Sequence, residues 1–382
     1  MVYCTVEKES KEWFFLIKIT LTNEILKRIS AIDEIRFSLR SVALPSITKN
    51  RLRKNSKKKS SFASNKIEGN PLTETQANEA IERDAHKHFL KPEQEVRNYF
   101  LALNLLEEKL KKKAPFSTEL ILEVQAMVEK GASKEKIGYR GEMPPGVLFA
   151  VYDSETGVPE YIPPEHIDIP VLLNELVDYV NTTDDHPLIV AAVVHYQLVT
   201  IHPFEDGNGR TARLMSGYVL DLNGYGFNGI GSLEEYFAYD PDEYYASLQM
   251  GLPALYYAGR ANPPHPEIWI NYFLRMVQLY SENVYAISLS GVADETASAL
   301  SHLNAREKEF LAFLLNNKLS DFTPIEVSKR LGVTNKTVIN RCAKLTTNGF
   351  LIPNIVKERI RSYSVSAFAK ENSQLIISLI QE

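Results

Sequence analysis

The chain has 382 residues, 44% hydrophobic and 24% charged, so it is long enough for two or three domains and is neither disordered nor fibrous. A net charge of −5 excludes a chain that is cationic as a whole and leaves polyanion binding to local basic regions. Two cysteines, Cys4 and Cys342, exclude a disulfide scaffold or a cysteine-built zinc site and point to a reducing, cytoplasmic setting.

In chain order, the apolar stretch Trp13–Ile19 is interrupted by Lys18 and no small-residue cleavage site follows, so no signal peptide is expected. No apolar run is long enough to span a bilayer. Lys49, Arg51, Arg53, Lys54, Lys57, Lys58 and Lys59 form a basic run, which reads as a solvated linker or helix face rather than a nucleic-acid or membrane patch. In SNKIEGNPLT (64–73), Gly69-Asn70-Pro71 must stop any helix that contains Glu68. Thr73 then restarts a helix, with Gln76 as its capping-box partner.

Helical periodicity runs through Pro92–Lys112 and Thr118–Glu129. Val147–Tyr152 and Val158–Ile162 suit strands around the turn residues 153–157, which predicts one β-hairpin. Helices resume at Val171–Val180 and Pro187–Val199, the second apolar on nearly every face and so central to a bundle. Arg210–Asp221 is helical, Gly251–Pro266 is loop-rich and Ile268–Tyr285 is a further helix. Residues 286–302 read as a connecting helix or linker. From about Leu303, three helices and two short strands follow, the order of a winged helix-turn-helix. The fold class expected is mainly α: a helical bundle carrying a β-hairpin, plus a small C-terminal α+β domain.

Residues 202–210 read HPFEDGNGR and continue Thr211, Ala212, Arg213. A loop between a buried helix and a following helix delivers unsatisfied N–H groups at a positive dipole end, where an anion is favoured. Gly207 and Gly209 let the backbone approach that anion closely. Arg210 and Arg213, three apart, project from adjacent turns and can grip several phosphate oxygens. Asp206 supplies a hard oxygen suited to Mg²⁺, and His202 can take a proton from an attacking hydroxyl. Phe204 anchors the loop. His166, His186, His195 and His265 show no metal-ligand spacing, and His195 reads as a core histidine on an apolar helix.

HPFEDGNGRTAR resembles the signature of the Fic (Fic/Doc) family, His-x-Phe-x-Asp/Glu-Gly-Asn-Gly-Arg-x-x-Arg, at every position. The layout from about 90 to 285 is similar too. The resemblance implies a Fic-type helical bundle at 113–290, an N-terminal region at 1–112 and a winged helix at 300–382. It implies transfer of AMP from ATP to a Ser, Thr or Tyr hydroxyl of a target protein. His202 would be the base and Asp206 the Mg²⁺ ligand. Asn208 with the Gly207 and Gly209 amides would hold the α- and β-phosphates, Arg210 the β- and Arg213 the γ-phosphate. Val147, Leu148, Phe149 and Ala150 would form the flap that aligns the target by strand addition. Both the second glycine and the final arginine are kept, which fits nucleotidyl transfer better than phosphorylation.

Ser64-Asn65-Lys66-Ile67-Glu68-Gly69 resembles the family's inhibitory motif, Ser/Thr-x-x-x-Glu-Gly/Asn, and places an inhibitory helix around 62–69. A carboxylate there could pair with Arg213 and turn a bound ATP away from in-line attack. It could instead position a water that removes AMP from a modified target. In the C-terminal module, nine Lys/Arg face three acids between Lys318 and Arg361. Asn335, Lys336, Asn340, Arg341 and Lys344 of the recognition helix are types that can contact phosphates or base edges, so the module reads either as a DNA-binding unit or as a protein-interaction or dimerisation unit. The alternative readings are a DNA-binding regulator with a nucleotide-sensing core, and transfer of another nucleotide such as UMP. No membrane partner is expected, and dimerisation is left open.

Overall fold

A computed structural model describes residues 17–381 except 41, 43, 85–87, 133–136, 148, 153–156, 254–255, 258–262 and 357. It opens with α1 (Asn23–Leu39), α2 (Ser46–Ile67), α3 (Glu74–Glu82), α4 (Lys91–Lys111) and α5 (Thr118–Glu129). Strands β1 (Val151–Tyr152) and β2 (Pro159–Ile162) precede α6 (Ile169–Thr182), α7 (Pro187–Ile201), α8 (Asn208–Leu222), α9 (Glu234–Phe237) and α10 (Pro241–Gln249). Then come β3 (Tyr256–Tyr257), α11 (Pro266–Ser301), α12 (Ala305–Asn316), β4 (Asp321–Phe322), α13 (Pro324–Leu331) and α14 (Asn335–Thr347). The chain closes with β5 (Leu351–Val356), β6 (Arg359–Val365), α15 (Ala367–Glu371) and α16 (Ser373–Gln381). The fold is mainly helical, with two small sheets.

Contacts divide the chain into two compact units, Met1–Ile32 with Arg53–Tyr280, and Asp33–Leu52 with Ser281–Glu382. The second therefore begins earlier than residue 300 and also recruits an N-terminal segment. In the first unit, α7 is buried at every position from Leu188 to Ile201 except Val199, as a helix without a polar face must be. Helix α8 packs along it. Thr73 caps α3 with Gln76 as its reciprocal partner, as the capping box predicts.

Two expectations are corrected, and of the two readings of 286–302 the helix holds. The hairpin strands are shorter than Val147–Tyr152 and Val158–Ile162, because a turn at Pro144–Val147 with Gly146 at φ 83° delays the extended backbone. The loop expected at 251–266 contributes β3, which pairs in parallel with β2 and makes a sheet in the order β1-β2-β3. The stretch 286–302 is no separate linker. It continues α11 without a break, since its alanines and serines do not interrupt a helix and Gly291 packs close to Leu44.

In the second unit, α12, α13 and α14 surround Phe310, Leu311, Leu314, Val338, Cys342 and Leu345. The β5–β6 hairpin closes that core with Phe350, Leu351, Tyr363 and Val365, and β4 pairs with β6. Among the described residues, no helix is long and apolar enough to cross a membrane.

Candidate active site

Helix α7 ends at Ile201, and His202 turns the chain in the left-handed region at φ 48°, ψ 58°. Its Nδ1 lies 3.3 Å from the Val199 carbonyl. A carbonyl only accepts, so Nδ1 carries the proton there and the neutral ring leaves Nε2 as the acceptor. Burial depresses the imidazole to about 4, against a partial lift from the Val199 bond.

The loop is closed by Asn208. Its side chain accepts from the Phe204 N–H (3.0 Å) and donates to the Phe204 carbonyl (2.9 Å) while Phe204 fills the core. The Asn208 side chain thus holds the loop in shape, with a second N–H left for another partner. Helix α8 starts at Asn208, two residues before the expected Arg210, with Gly207 as its N-cap at φ 83°.

Each loop glycine faces a carboxylate. A Cβ on Gly207 would stand 2.5 Å from Glu129 Oε1, and one on Gly209 would stand 2.4 Å from Glu68 Oε1. Gly207→Ala is therefore expected to cost about 1–3 kcal/mol for its left-handed backbone alone, plus the Glu129 clash. Urea unfolding followed by tryptophan fluorescence measures this, and an unchanged midpoint would mean the turn tolerates a side chain.

Both arginines are buried and already paired. Arg210 Nη2 lies 3.0 Å from Asp206 Oδ1 and 2.9 Å from Glu129 Oε1. Arg213 donates from Nε to Ser64 Oγ (2.8 Å) and from Nη2 to the Ser64 carbonyl (3.0 Å) and Glu68 Oε1 (2.5 Å). Burial works to raise the Glu68 carboxyl, but Arg213 and Arg210 outweigh it and hold the group below its ordinary value. Tyr244 joins this cluster, accepting from Arg213 Nη1 at 3.4 Å and meeting His195 Nε2 at 2.8 Å. His195 is fully buried among Phe237, Trp269 and Phe273, a core histidine as its spacing implied.

Glu68 lies just past α2, a 22-residue helix that is longer than the short one expected around 62–69. The helix docks through hydroxyls and ion pairs. Ser56 accepts from the Gly231 N–H (2.6 Å), and Ser60 donates to Glu234 (2.7 Å). Five cations of the basic run lie on α2 in ion pairs: Arg53 and Lys57 with Glu107, Lys54 and Lys58 with Glu82, Lys59 with Glu235. That pairing leaves the solvated-face reading incomplete.

Asp206 is a third exposed, and among the described residues both of its side-chain bonds fall on Oδ1. No cluster of three or more His, Cys, Asp or Glu side chains among the described residues could hold a metal. One hard carboxylate beside an anion cradle still fits Mg²⁺, which takes most of its ligands from phosphates and water.

Of the expected flap, Leu148 lies outside the described residues, and Val147, Phe149 and Ala150 precede β1. The Phe149 ring is 5.9 Å from that of His202. Arg140, which the sequence reading passed over, ties this segment to the loop. It donates to the His202 carbonyl (2.7 Å) and to the Pro164 carbonyl, and its guanidinium covers Phe149 at 4.8 Å. Glu129 was missed too, although Gln125 and Glu129 are polar residues in the apolar stripe of α5 and that mismatch is visible in sequence.

Residues 115–220 match the Fic/DOC family model, a span that contains the whole loop. They form a Fic/DOC domain. The chain is similar to the protein adenylyltransferase Fic of Nematostella vectensis, 31% identical over 213 residues that make up 54% of this chain and 46% of that protein. It is 28% identical over 204 residues to the protein of the same name from Drosophila mojavensis, covering 52% of this chain and 38% of that one. The chain thus spans less than half the length of these relatives. The structure of a Fic family protein from Desulfovibrio desulfuricans G20 covers 91% of this chain, with 97% of its own length aligned, at a TM-score of 0.57 and 20% identity. That likeness extends the shared fold beyond the Fic domain.

Proposed function

We propose that this chain is a protein adenylyltransferase, transferring AMP from ATP to a Ser, Thr or Tyr hydroxyl of a target protein and restrained by its own Glu68. The observation that carries the reading is the convergence of His202 Nε2, Asp206, the glycine turn, Arg210 and Arg213 at the N-terminus of α8, inside a Fic domain. His202 Nε2 takes the proton as the target hydroxyl attacks the α-phosphorus. The bond to the β-phosphate oxygen breaks, and pyrophosphate leaves. The amides of the first turn of α8 and the two guanidiniums hold the phosphate oxygens. Asp206 would hold Mg²⁺, which when bound supplies charge neutralisation for the leaving pyrophosphate. The outer strand β1 offers an edge on which an extended target segment can add.

The test is to incubate the Glu68→Gly chain with Mg²⁺ and ATP labelled on either the α- or the γ-phosphate. Retention of the α-label alone, with the mass of one AMP added, supports adenylylation. Retention of the γ-label would make the chain a kinase, and preference for UTP in competition would favour UMP transfer. No retained label would leave a nucleotide sensor.

DNA binding by the second unit is a further part of the reading. Lys336 and Lys344 on α14 and Arg359 and Arg361 on β6 are exposed, and no ion pair engages them among the described residues. Affinity for duplex DNA is expected to fall about tenfold or more between 50 and 200 mM salt, since each neutralised phosphate releases counterions. Absence of binding even at the lower salt would leave this unit as a protein-interaction module.

A further inference from the structure

The last turn of α5 lies directly beneath the phosphate cradle. Gln125 bonds the loop there, accepting from the Gly138 N–H (3.2 Å) and donating to the Asp206 carbonyl (3.4 Å). One turn later Glu129, only 2% exposed, brings Oε1 to 2.9 Å from Arg210 Nη2 and stands where a Cβ on Gly207 would be. Among the described residues, neither Glu129 oxygen nor Arg210 Nε meets a hydrogen-bond partner of good geometry. Arg210 is the cation this buried carboxylate faces. Burial raises the Glu129 carboxyl to about 7 while Arg210 pulls it down, and burying a carboxyl is costly, so a solvent-facing or apolar residue would be the cheaper choice if nothing beyond packing were required.

The same guanidinium nitrogen faces Asp206 at 3.0 Å. If Asp206 alone held Arg210, the arginine would be drawn toward the exposed side of the loop and the carboxylate best suited to a cation would be occupied. An anchor from below divides that attachment. It keeps the guanidinium at the floor of the cradle and leaves Asp206 able to turn away. We infer that Glu129 is a positioning residue for the nucleotide: it sets Arg210 and the Gly207 turn in the arrangement that receives the phosphates, without touching the substrate itself. The inference rests on the proposed ATP-dependent function of the cradle.

The test measures the affinity of Mg²⁺–ATP by calorimetry, and the rate of α-label transfer, in the Glu68→Gly chain and its derivatives. Glu129→Ala is expected to raise both the Kd and the KM for ATP about tenfold, the worth of one charge-assisted contact, with kcat at saturation changed less than about threefold. Glu129→Gln, which keeps the volume and an oxygen beside Arg210 but not the charge, is expected to have a smaller effect in the same direction. It serves as the readout if the alanine variant does not fold. In an Arg210→Ala background the Glu129 substitutions are expected to change nothing, because the residue acts through that guanidinium. An unchanged Kd for both variants, or an effect that persists without Arg210, would overturn the inference. A Glu68→Gly chain that neither binds ATP nor transfers the label would instead overturn the proposed function.

Discussion

Replacing Glu68 with glycine is expected to raise incorporation of α-labelled AMP into the chain itself on the order of 10²-fold, read as an initial rate. The Glu68 carboxylate holds Arg213 Nη2 at 2.5 Å and lies over Gly209, so it occupies both the guanidinium and the backbone that the proposed function assigns to the nucleotide. ATP bound beside it would find Arg213 already taken, and its triphosphate would be turned from the line of attack. Glycine removes the charge and opens the cradle. The expected change lies in kcat, because orientation rather than contact area is restored. Acid is not expected to mimic the substitution near neutrality. The folded pKa of Glu68 is depressed, so the contact is fully formed above the ordinary value of 4.5 and is lost only as pH falls through the lower folded value. An unchanged rate in Glu68→Gly would remove this residue from the control of activity.

Replacing His202 with alanine in the Glu68→Gly chain is expected to lower transfer about 10²–10⁴-fold while ATP affinity is retained. In the proposed reaction the residue's part is to take the hydroxyl proton at Nε2, not to hold phosphate. Burial depresses the imidazole from 6.5 to about 4, so the ring is neutral and competent through the physiological range. The acid limb of kcat/KM set by His202 is therefore expected near pH 4. The stability linkage has the same direction. Between 6.5 and about 4 the unfolded chain binds a proton that the folded site refuses, so stability falls as pH falls through that window. Transfer that survives in His202→Ala, or an acid limb at the ordinary histidine value, would exclude this residue as the base.

The loop from His202 to Arg213 was legible because its chemistry is local. A helix N-terminus, two glycines and two arginines three apart act through adjacent backbone, and the structure arranges them at the start of α8. The capping box at Thr73, the all-apolar α7 and the stop at Gly69-Asn70 were legible for the same reason. The loop-closing bonds of Asn208 were not, because they depend on where Phe204 packs. Glu129 showed only as a polar residue in an apolar stripe and Arg140 not at all, and neither could be assigned to the site. Their partners lie 81 and 62 positions away, at Arg210 and His202, and no local period records such contacts. The flap strands were overextended because β-propensity in 147–150 is overruled by the turn before them.

Taken by itself, the amino-acid order determined the mainly helical class and the position of the glycine-rich turn with its imidazole, carboxylate and guanidiniums, all properties of neighbouring residues. Only the tertiary structure decided what each of those groups faces. It brought the end of α2 onto Arg213, set Glu129 beneath Arg210 and turned the basic run into the paired flank of α2. The physical reason is that a buried charge is defined by its partner, and partners are supplied by packing between elements distant in the chain.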